Sequence, residues 1–210
     1  TDGWDRVLLA GISAETWLHP SIEPDAVAGT QAAAYRHPPE PSVCVVLGAG
    51  NVSSIAPTDT LYKLFVELRT VLLKVNPVTE YVGPLLERAF APLVEAGVLE
   101  FAYGGVAVGQ ALTTHALVDA IHMTGSDKTH DAIVFGSGAE GAARKADIQV
   151  INDRHITSEL GNVTPVIVVP GPWTDSDFSY QRDHLAVMLA NNAGFNCIAT
   201  RVLVQHLQWE

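Results

Sequence analysis

A chain of 210 residues that is 48% hydrophobic and only 17% charged can fill one sizeable core, and it is not the composition of a disordered segment. Its 23 acidic and 12 basic residues leave a net charge of −11, and no Lys/Arg-rich run interrupts that balance. Nonspecific binding to nucleic acid or to an anionic membrane, where basic side chains must neutralise phosphates, is therefore disfavoured, and a small-molecule substrate is expected.

Residues 1–42 read as a proline-rich N-terminal segment. The opening TDGWDRVLLAGIS lacks a basic start followed by an apolar stretch, so no secretory signal is read. Five prolines fall between residues 18 and 42, ending in HPPEPS, which is linker or surface-wrapping composition. Regular patterning starts afterwards. VCVVL (43–47) reads as a buried strand, followed by GAGN (48–51). Thr58 or Asp59 is a candidate cap for a helix carrying Leu61, Leu64, Phe65 and Leu68 at i, i+3, i+4, i+7 spacing. TVLLKV (70–75) is a second strand. Thr79 precedes a longer helix with Val82, Leu85, Leu86, Phe90 and Leu93 on one side, stopping near Gly97. VLEFAY (98–103) is a third strand, Gly104 and Gly105 make a turn, and AVGQALTTH (107–115) is a short helix. DAIHMTGS (119–126) is strand then loop. The pattern leaves DAIVFG (131–136) open between helix and strand, and residues 136–156 read as an irregular, mixed-charge excursion. PVIVVPG (165–171) reads as a strand, DFSYQRDHLAVMLANNAG (177–194) as a helix, and RVLVQ (201–205) as the closing strand. No apolar run approaches the roughly 20 residues that span a bilayer, and a cytoplasmic setting is expected.

Strands alternating with helices at this spacing predict an α/β fold, a Rossmann-like open parallel sheet with helices on both faces. Ligands of such sheets sit at the carboxyl ends of the strands. That singles out GAGN (48–51), KVNP (74–77), YGG (103–105), MTGS (123–126) and SELGN (158–162). GAGNVS matches only the first two glycines of the dinucleotide fingerprint G-x-G-x-x-G, since Ser53 stands at the third position.

Two cysteines far apart, Cys44 and Cys197, give neither a disulfide framework nor a C-x-x-C pattern. Cys44, inside an apolar strand, reads as a small packed hydrophobe, the commoner state of a lone cysteine. Cys197, in a loop with Gly194 and Asn196, reads as accessible and is the candidate nucleophile. Glu159 is a candidate base, although a single Glu is most often a solvated surface residue. Eight scattered histidines show no H-x-x-x-H or H-E-x-x-H arrangement, so no metal site is expected.

Taken in order, these loops resemble the aldehyde dehydrogenase superfamily. Asn51 follows a strand and a glycine, Lys74 ends the next strand, and a Gly-Gly follows the third. T-G-S (124–126) follows the fourth, E-L-G (159–161) precedes the fifth, and G-x-x-C (194–197) follows the last helix. The resemblance covers about residues 43–205, and E-L-G with G-x-x-C at this separation is its most specific part. It implies NAD(P)-dependent oxidation of an aldehyde to a carboxylic acid through a cysteine thiohemiacetal and thioester. By that resemblance Cys197 is the nucleophile, Glu159 the general base and Asn51 the oxyanion donor. Lys74 contacts the adenosine ribose, Gly105 and Gly109 let the backbone approach the cofactor, Ser126 with Gly125 beside it meets the pyrophosphate, and Leu160 lies near the nicotinamide. The cofactor is NAD or NADP. Pro77 stands where NAD-preferring members carry an acidic ribose ligand, which leaves room for NADP.

The chain departs from the family at Gly50-Asn51-Val52-Ser53, where a Trp-Asn-aromatic-Pro run is usual, and at Asn162, where a second glycine usually follows E-L-G. Arg201 follows Cys197 one residue sooner than is common. Family members are considerably longer, with catalytic and oligomerisation segments beyond the cysteine, whereas only residues 198–210 follow Cys197 here. A fragment of a longer, homo-oligomeric enzyme is the expectation. Two alternatives are carried with it: a catalytically impaired nucleotide-binding module, and a CoA-dependent acylating relative.

Overall fold

The structure, a computed structural model, describes residues 3–11, 13, 15 and 17–207. The chain divides into two units, residues 1–38 and 39–210. The first holds three short helices, α1 (Gly3–Leu8), α2 (Pro24–Thr30) and α3 (Ala33–Arg36). Pro24 opens α2, where its fixed φ suits the helix and its missing N–H costs nothing.

The second unit is built on five parallel strands, β1 (Val43–Leu47), β2 (Thr70–Lys74), β3 (Leu99–Ala102), β4 (Ala120–Gly125) and β5 (His155–Leu160), in the order β3-β2-β1-β4-β5. Alternate residues feed opposite faces, as the pleat requires. Cys44, Val46, Val71, Leu73, Leu99 and Ala120 join Ala56 and Leu64 of α4 (Ile55–Phe65) in one cluster. Phe90, Leu93 and Val94, around α5 (Gly83–Ala89) and α6 (Ala91–Glu95), pack against that same cluster. Val45 and Ile121 point the other way, toward Leu112 of α7 (Val106–Thr114) and Ile133 of α8 (Asp127–Val134). The sheet is thus a Rossmann-like α/β layer with helices on both faces, as its sequence predicts. The strand order reverses between β1 and β4, so the crevice at their carboxyl ends is the topological switch point where such sheets take ligands.

A smaller sheet pairs β6 (Thr164–Ile167) in parallel with β7 (Thr200–Val204). Between them runs α10 (Asp175–Ala190), opened by a reciprocal cap in which Thr174 and Asp177 bond one another's backbone.

Four expectations are corrected. α4 begins at Ile55 rather than after Thr58, and Leu68 lies outside it with φ of +54°. The helix expected to run unbroken to Gly97 is a 3-10 turn (Pro77–Val82) followed by α5 and α6, interrupted at Phe90. Pro92 has no N–H to give the carbonyl four residues back, so the ladder cannot continue through it. Residues 136–156 contain α9 (Gly138–Ala146), whose alanines and Glu140–Arg144 pair at 3.6 Å support a helix without large apolar side chains. Finally, HITSEL (155–160) is the edge strand β5, so Glu159 and Leu160 end a strand of the sheet rather than merely precede one. DAIVFG, open from pattern, falls mostly in α8.

Candidate active site

One cavity of about 1190 Å³ opens at the carboxyl ends of β1, β2, β4 and β5 and runs along α7 and α8 from their first turns to their last. All nine residues singled out from the sequence line it: Asn51, Lys74, Gly105, Gly109, Gly125, Ser126, Glu159, Leu160 and Cys197. They come from six separate segments, five of them at or beyond the carboxyl ends of the large sheet's parallel strands and the sixth the turn that carries Cys197.

At one end of the cavity, Cys197 Sγ lies 4.0 Å from Glu159 Oε1. Cys197 sits half-buried in the turn between α10 and β7. That turn is entered through three residues of left-handed backbone, Asn192 (φ +52°), Ala193 (φ +52°) and Gly194 (φ +76°). Asn and Gly tolerate this region and Ala does not, so external bonds must hold the turn. They are present. Asn51 Nδ2 donates to Phe195 O at 2.9 Å, and Asn192 Nδ2 donates to Asn51 O at 2.9 Å and to Asn196 Oδ1 at 3.2 Å. The Arg201 guanidinium also donates to Gly194 O. Asn51 and the cysteine turn are therefore tied to each other in both directions.

The glycines before Asn51 have a local role. A Cβ on Gly50 would sit 2.7 Å from the Asn76 side chain, and one on Gly48 2.9 Å from Ala56 Cβ. Gly48 N donates to Lys74 O at 3.0 Å, and Asn76 Nδ2 donates to Gly48 O at 3.2 Å. These glycines let the loop after β1 lie against the end of β2.

Elsewhere in the cavity the glycines behave differently. A Cβ at Gly105, Gly109 or Gly161 meets nothing within 4 Å, so packing does not demand glycine there. Gly109 lies inside α7, where glycine costs about 1 kcal/mol relative to alanine. What these positions leave is open space beside backbone. Lys74, at the end of β2, is 7% exposed, and its ammonium has no hydrogen-bond or ion-pair partner among the described residues. Burial holds it below the ordinary lysine range, with the charge of Glu80 opposing that shift. Ser126 caps α8: its Oγ accepts from Thr129 N at 3.2 Å, and the helix N-terminus faces the cavity, a position that favours anions. A buried cation without a partner, glycine-lined backbone and a capped helix start fit a ligand with ribose hydroxyls and phosphates.

Several residues in or beside the cavity were not named individually from the sequence. Asn76 caps the 3-10 turn through Val78 N at 3.0 Å while holding Gly48. Asn152, 5% exposed, donates to Thr113 O at 3.1 Å, and Arg154 Nε donates to Val118 O at 2.8 Å, closing the α7 side. Glu80 Oε1 accepts from Gly104 N at 2.8 Å and fixes the turn after β3. Next to it, burial and the Glu87 carboxylate push Tyr103 up to about 12. An asparagine or arginine that bonds carbonyls dozens of residues away leaves no local pattern to read. Among the described residues, no group of three or more His, Cys, Asp or Glu side chains is placed to hold a metal ion, and no helix is long and apolar enough to cross a membrane.

Comparison with known proteins places the chain. The aldehyde dehydrogenase LUC3 of a Fusarium species is 31% identical over 160 residues, covering 75% of this chain and 31% of that protein. The aldehyde dehydrogenase [NAD(P)+] 1 of Saccharomyces cerevisiae is 32% identical over 127 residues, covering 60% of this chain and 22% of its own length. The chain thus spans less than a third of these relatives. The crystal structure of the aldehyde dehydrogenase KauB from Pseudomonas aeruginosa superposes with a TM-score of 0.61 at 24% identity, over 80% of this chain and 31% of that one, which shows a shared fold. The model of the aldehyde dehydrogenase family matches residues 10–209. With the parallel sheet and its switch-point cavity, a match over nearly the whole sequence settles the classification: the chain belongs to the aldehyde dehydrogenase family.

Proposed function

We propose that this chain carries the nucleotide-binding and nucleophile-bearing part of an NAD(P)-dependent aldehyde dehydrogenase that converts an aldehyde to a carboxylic acid. The observation that supports it most is the 4.0 Å approach of Cys197 Sγ to Glu159 Oε1, beside the Asn51 amide, in the same cavity as the unpartnered Lys74 ammonium.

The Cys197 thiolate attacks the aldehyde carbon, and the carbonyl oxygen becomes an oxyanion. Asn51 spends one amide N–H on Phe195 O, and a carboxamide has a second to offer that oxygen. Hydride loss from the carbon, to a nicotinamide that this cavity would hold, would leave a thioester on Cys197. Glu159 then takes a proton from water, which cleaves the thioester and frees the acid and the thiol. Lys74 and the first turn of α8, capped by Ser126 with Gly125 beside it, would hold the hydroxyl- and phosphate-bearing part of the cofactor. Gly105 and Gly109 admit it close to the backbone, and Leu160 offers it an apolar wall. Pro77 itself presents no carboxylate beside Lys74, which favours NADP alongside NAD, while the nearby Glu80 charge, already bonded to Gly104 N, works against a 2′-phosphate.

The test is reduction of NAD+ or NADP+, followed by absorbance over an aldehyde panel, in the protein expressed from its natural gene. Cys197→Ala is expected to abolish turnover. Glu159→Gln is expected to keep one rapid turnover and slow the following ones by about a hundredfold, the typical share of a general base. Turnover that survives Cys197→Ala sinks the reading. Acyl-CoA formed only when CoA is supplied identifies the acylating relative instead.

A further inference from the structure

A run of charged and polar side chains, Lys63 and Thr124 buried and the others partly buried, lies on the α4 face of the sheet, where doubly covered parallel sheets are ordinarily apolar. Lys63, 3% exposed, donates from Nζ to Glu67 Oε1 at 2.5 Å and to Thr157 Oγ1 at 3.1 Å. Glu67 accepts from Arg69 Nε at 2.9 Å, and Arg69 Nη1 donates to Ser42 Oγ at 2.9 Å. In the other direction, His122 Nδ1 lies 2.8 Å from Thr157 Oγ1. Thr124 Oγ1 donates to Asp59 Oδ2 at 3.0 Å, and His122 Nε2 stands 3.3 Å from that oxygen without hydrogen-bond geometry. Burial by itself would raise Glu67, but the bonds and charges of Lys63 and Arg69 together bring it below its ordinary value, so the carboxylate is ionised in place.

This network ends at the site. β5 is an edge strand with β4 as its one strand neighbour. Across that seam Thr157 opposes His122 and Glu159 opposes Thr124. Thr157 and Glu159, two residues apart, lie on the same face. Asp59 and Lys63, one helical turn apart on α4, reach the seam at those two rungs: Asp59 bonds Thr124 opposite Glu159, and Lys63 bonds Thr157. The sequence HITSEL has no strong alternation of apolar residues, so hydrophobic burial specifies its register weakly, and a one-residue slip would turn Glu159 to the other face.

We propose that Lys63, His122 and Thr157 are positioning residues for Glu159. They pin the edge strand to α4 and β4 so that the carboxylate stays beside Cys197. The inference rests on Glu159 acting as the base for thioester hydrolysis.

The test separates acylation from hydrolysis with p-nitrophenyl acetate. The Cys197 thiolate attacks the ester carbonyl and the C–O bond to p-nitrophenolate breaks, giving a coloured burst. Water then cleaves the acetyl thioester to acetate and free thiol. Thr157→Val is expected to keep the burst while the acetyl-enzyme, read by intact mass, persists about tenfold longer, within what a displacement of about 1 Å costs. Thr157→Ser, which keeps the hydroxyl, is expected to restore the parent rate. Thr157→Val with Glu159→Gln is expected to be no slower than Glu159→Gln alone. Lys63→Met, read the same way, covers a Thr157→Val protein that does not fold. If Glu159→Gln slows hydrolysis and Thr157→Val does not, the positioning role is overturned and the base role stands. If Glu159→Gln hydrolyses at the parent rate, or the parent shows no burst, the assignment of base or nucleophile falls and this inference falls with it.

Discussion

The two cysteines show how position in the sheet decides chemistry. Cys44 is 1% exposed in the middle of β1, and burial pushes its thiol up to about 11, against the opposing charges of Lys63 and Arg69. A thiol that is both inaccessible and protonated does not react. Cys197, half-buried, lines the open cavity. At pH 8 a thiol-disulfide reagent is therefore expected to titrate one thiol in the native protein and two after denaturation, with Cys197→Ser lowering the native count to zero. Two thiols in the native protein would place Cys44 outside the core. The distinction was legible in the sequence, because VCVVL is an apolar strand and Cys197 is flanked by Gly194 and Asn196. What holds the cysteine turn was not legible: Asn51 and Phe195 are 144 residues apart, and only the folded sheet brings them together.

Among the elements, α7 carries the clearest conflict between stability and binding. Gly109 sits inside this helix with φ in the ordinary range, and a Cβ there meets nothing within 4 Å. Gly109→Ala is thus expected to stabilise the fold by about 0.5–1 kcal/mol through helix propensity and a less flexible unfolded chain. The same methyl group projects into space we assign to the cofactor, so affinity for NAD+ or NADP+ is expected to fall. Thermal unfolding and dinucleotide titration on one preparation test both signs, and a variant that gains stability without losing affinity would move the cofactor away from α7. Strands β1 to β4 were readable because their β-branched and apolar runs end in glycine or polar loops. β5 was not, because HITSEL holds only two apolar residues, Ile156 and Leu160, among polar ones, too few to read as a strand. The start of α4 was missed because Ser54 caps it without a side-chain bond, whereas Thr58, inside the helix, returns its hydroxyl to Ser54 O at 2.9 Å. α9 was missed because its stripe, Ala139, Ala142, Ala143 and Ala146, holds no large apolar side chain.

At the scale of the whole molecule, the two sides of the proposed chemistry stand on parts of unequal rigidity. Glu159 and Lys74 stand at the ends of strands, and Asn51 just beyond one, in a sheet in which Val45, Val46 and Leu73 are fully buried. Cys197 follows α10, which has no buried residue among those described, and precedes β7, where Val202, Leu203 and Val204 are 41–50% exposed. A two-stranded sheet that buries so little is marginal by itself. Regions with few buried apolar contacts open locally at free energies well below that of global unfolding. Amides of β1, β2 and β4 are therefore expected to exchange with solvent deuterium only through global unfolding, and those of β6 and β7 about a hundredfold faster or more. The bonds from Asn51 and Asn192 are then what keep Sγ near the carboxylate. Asn192→Ala removes one of them and leaves Ala193 strained without that support, so exchange across residues 195–201 is expected to quicken while β1 is unchanged. Slow exchange in β7, matching β1, would mean that the small sheet is as stable as the large one and that the turn needs no such tether. Faster exchange confined to 195–201 would locate the weak point of the catalytic arrangement in the nucleophile's support, with the base held firmly on the sheet.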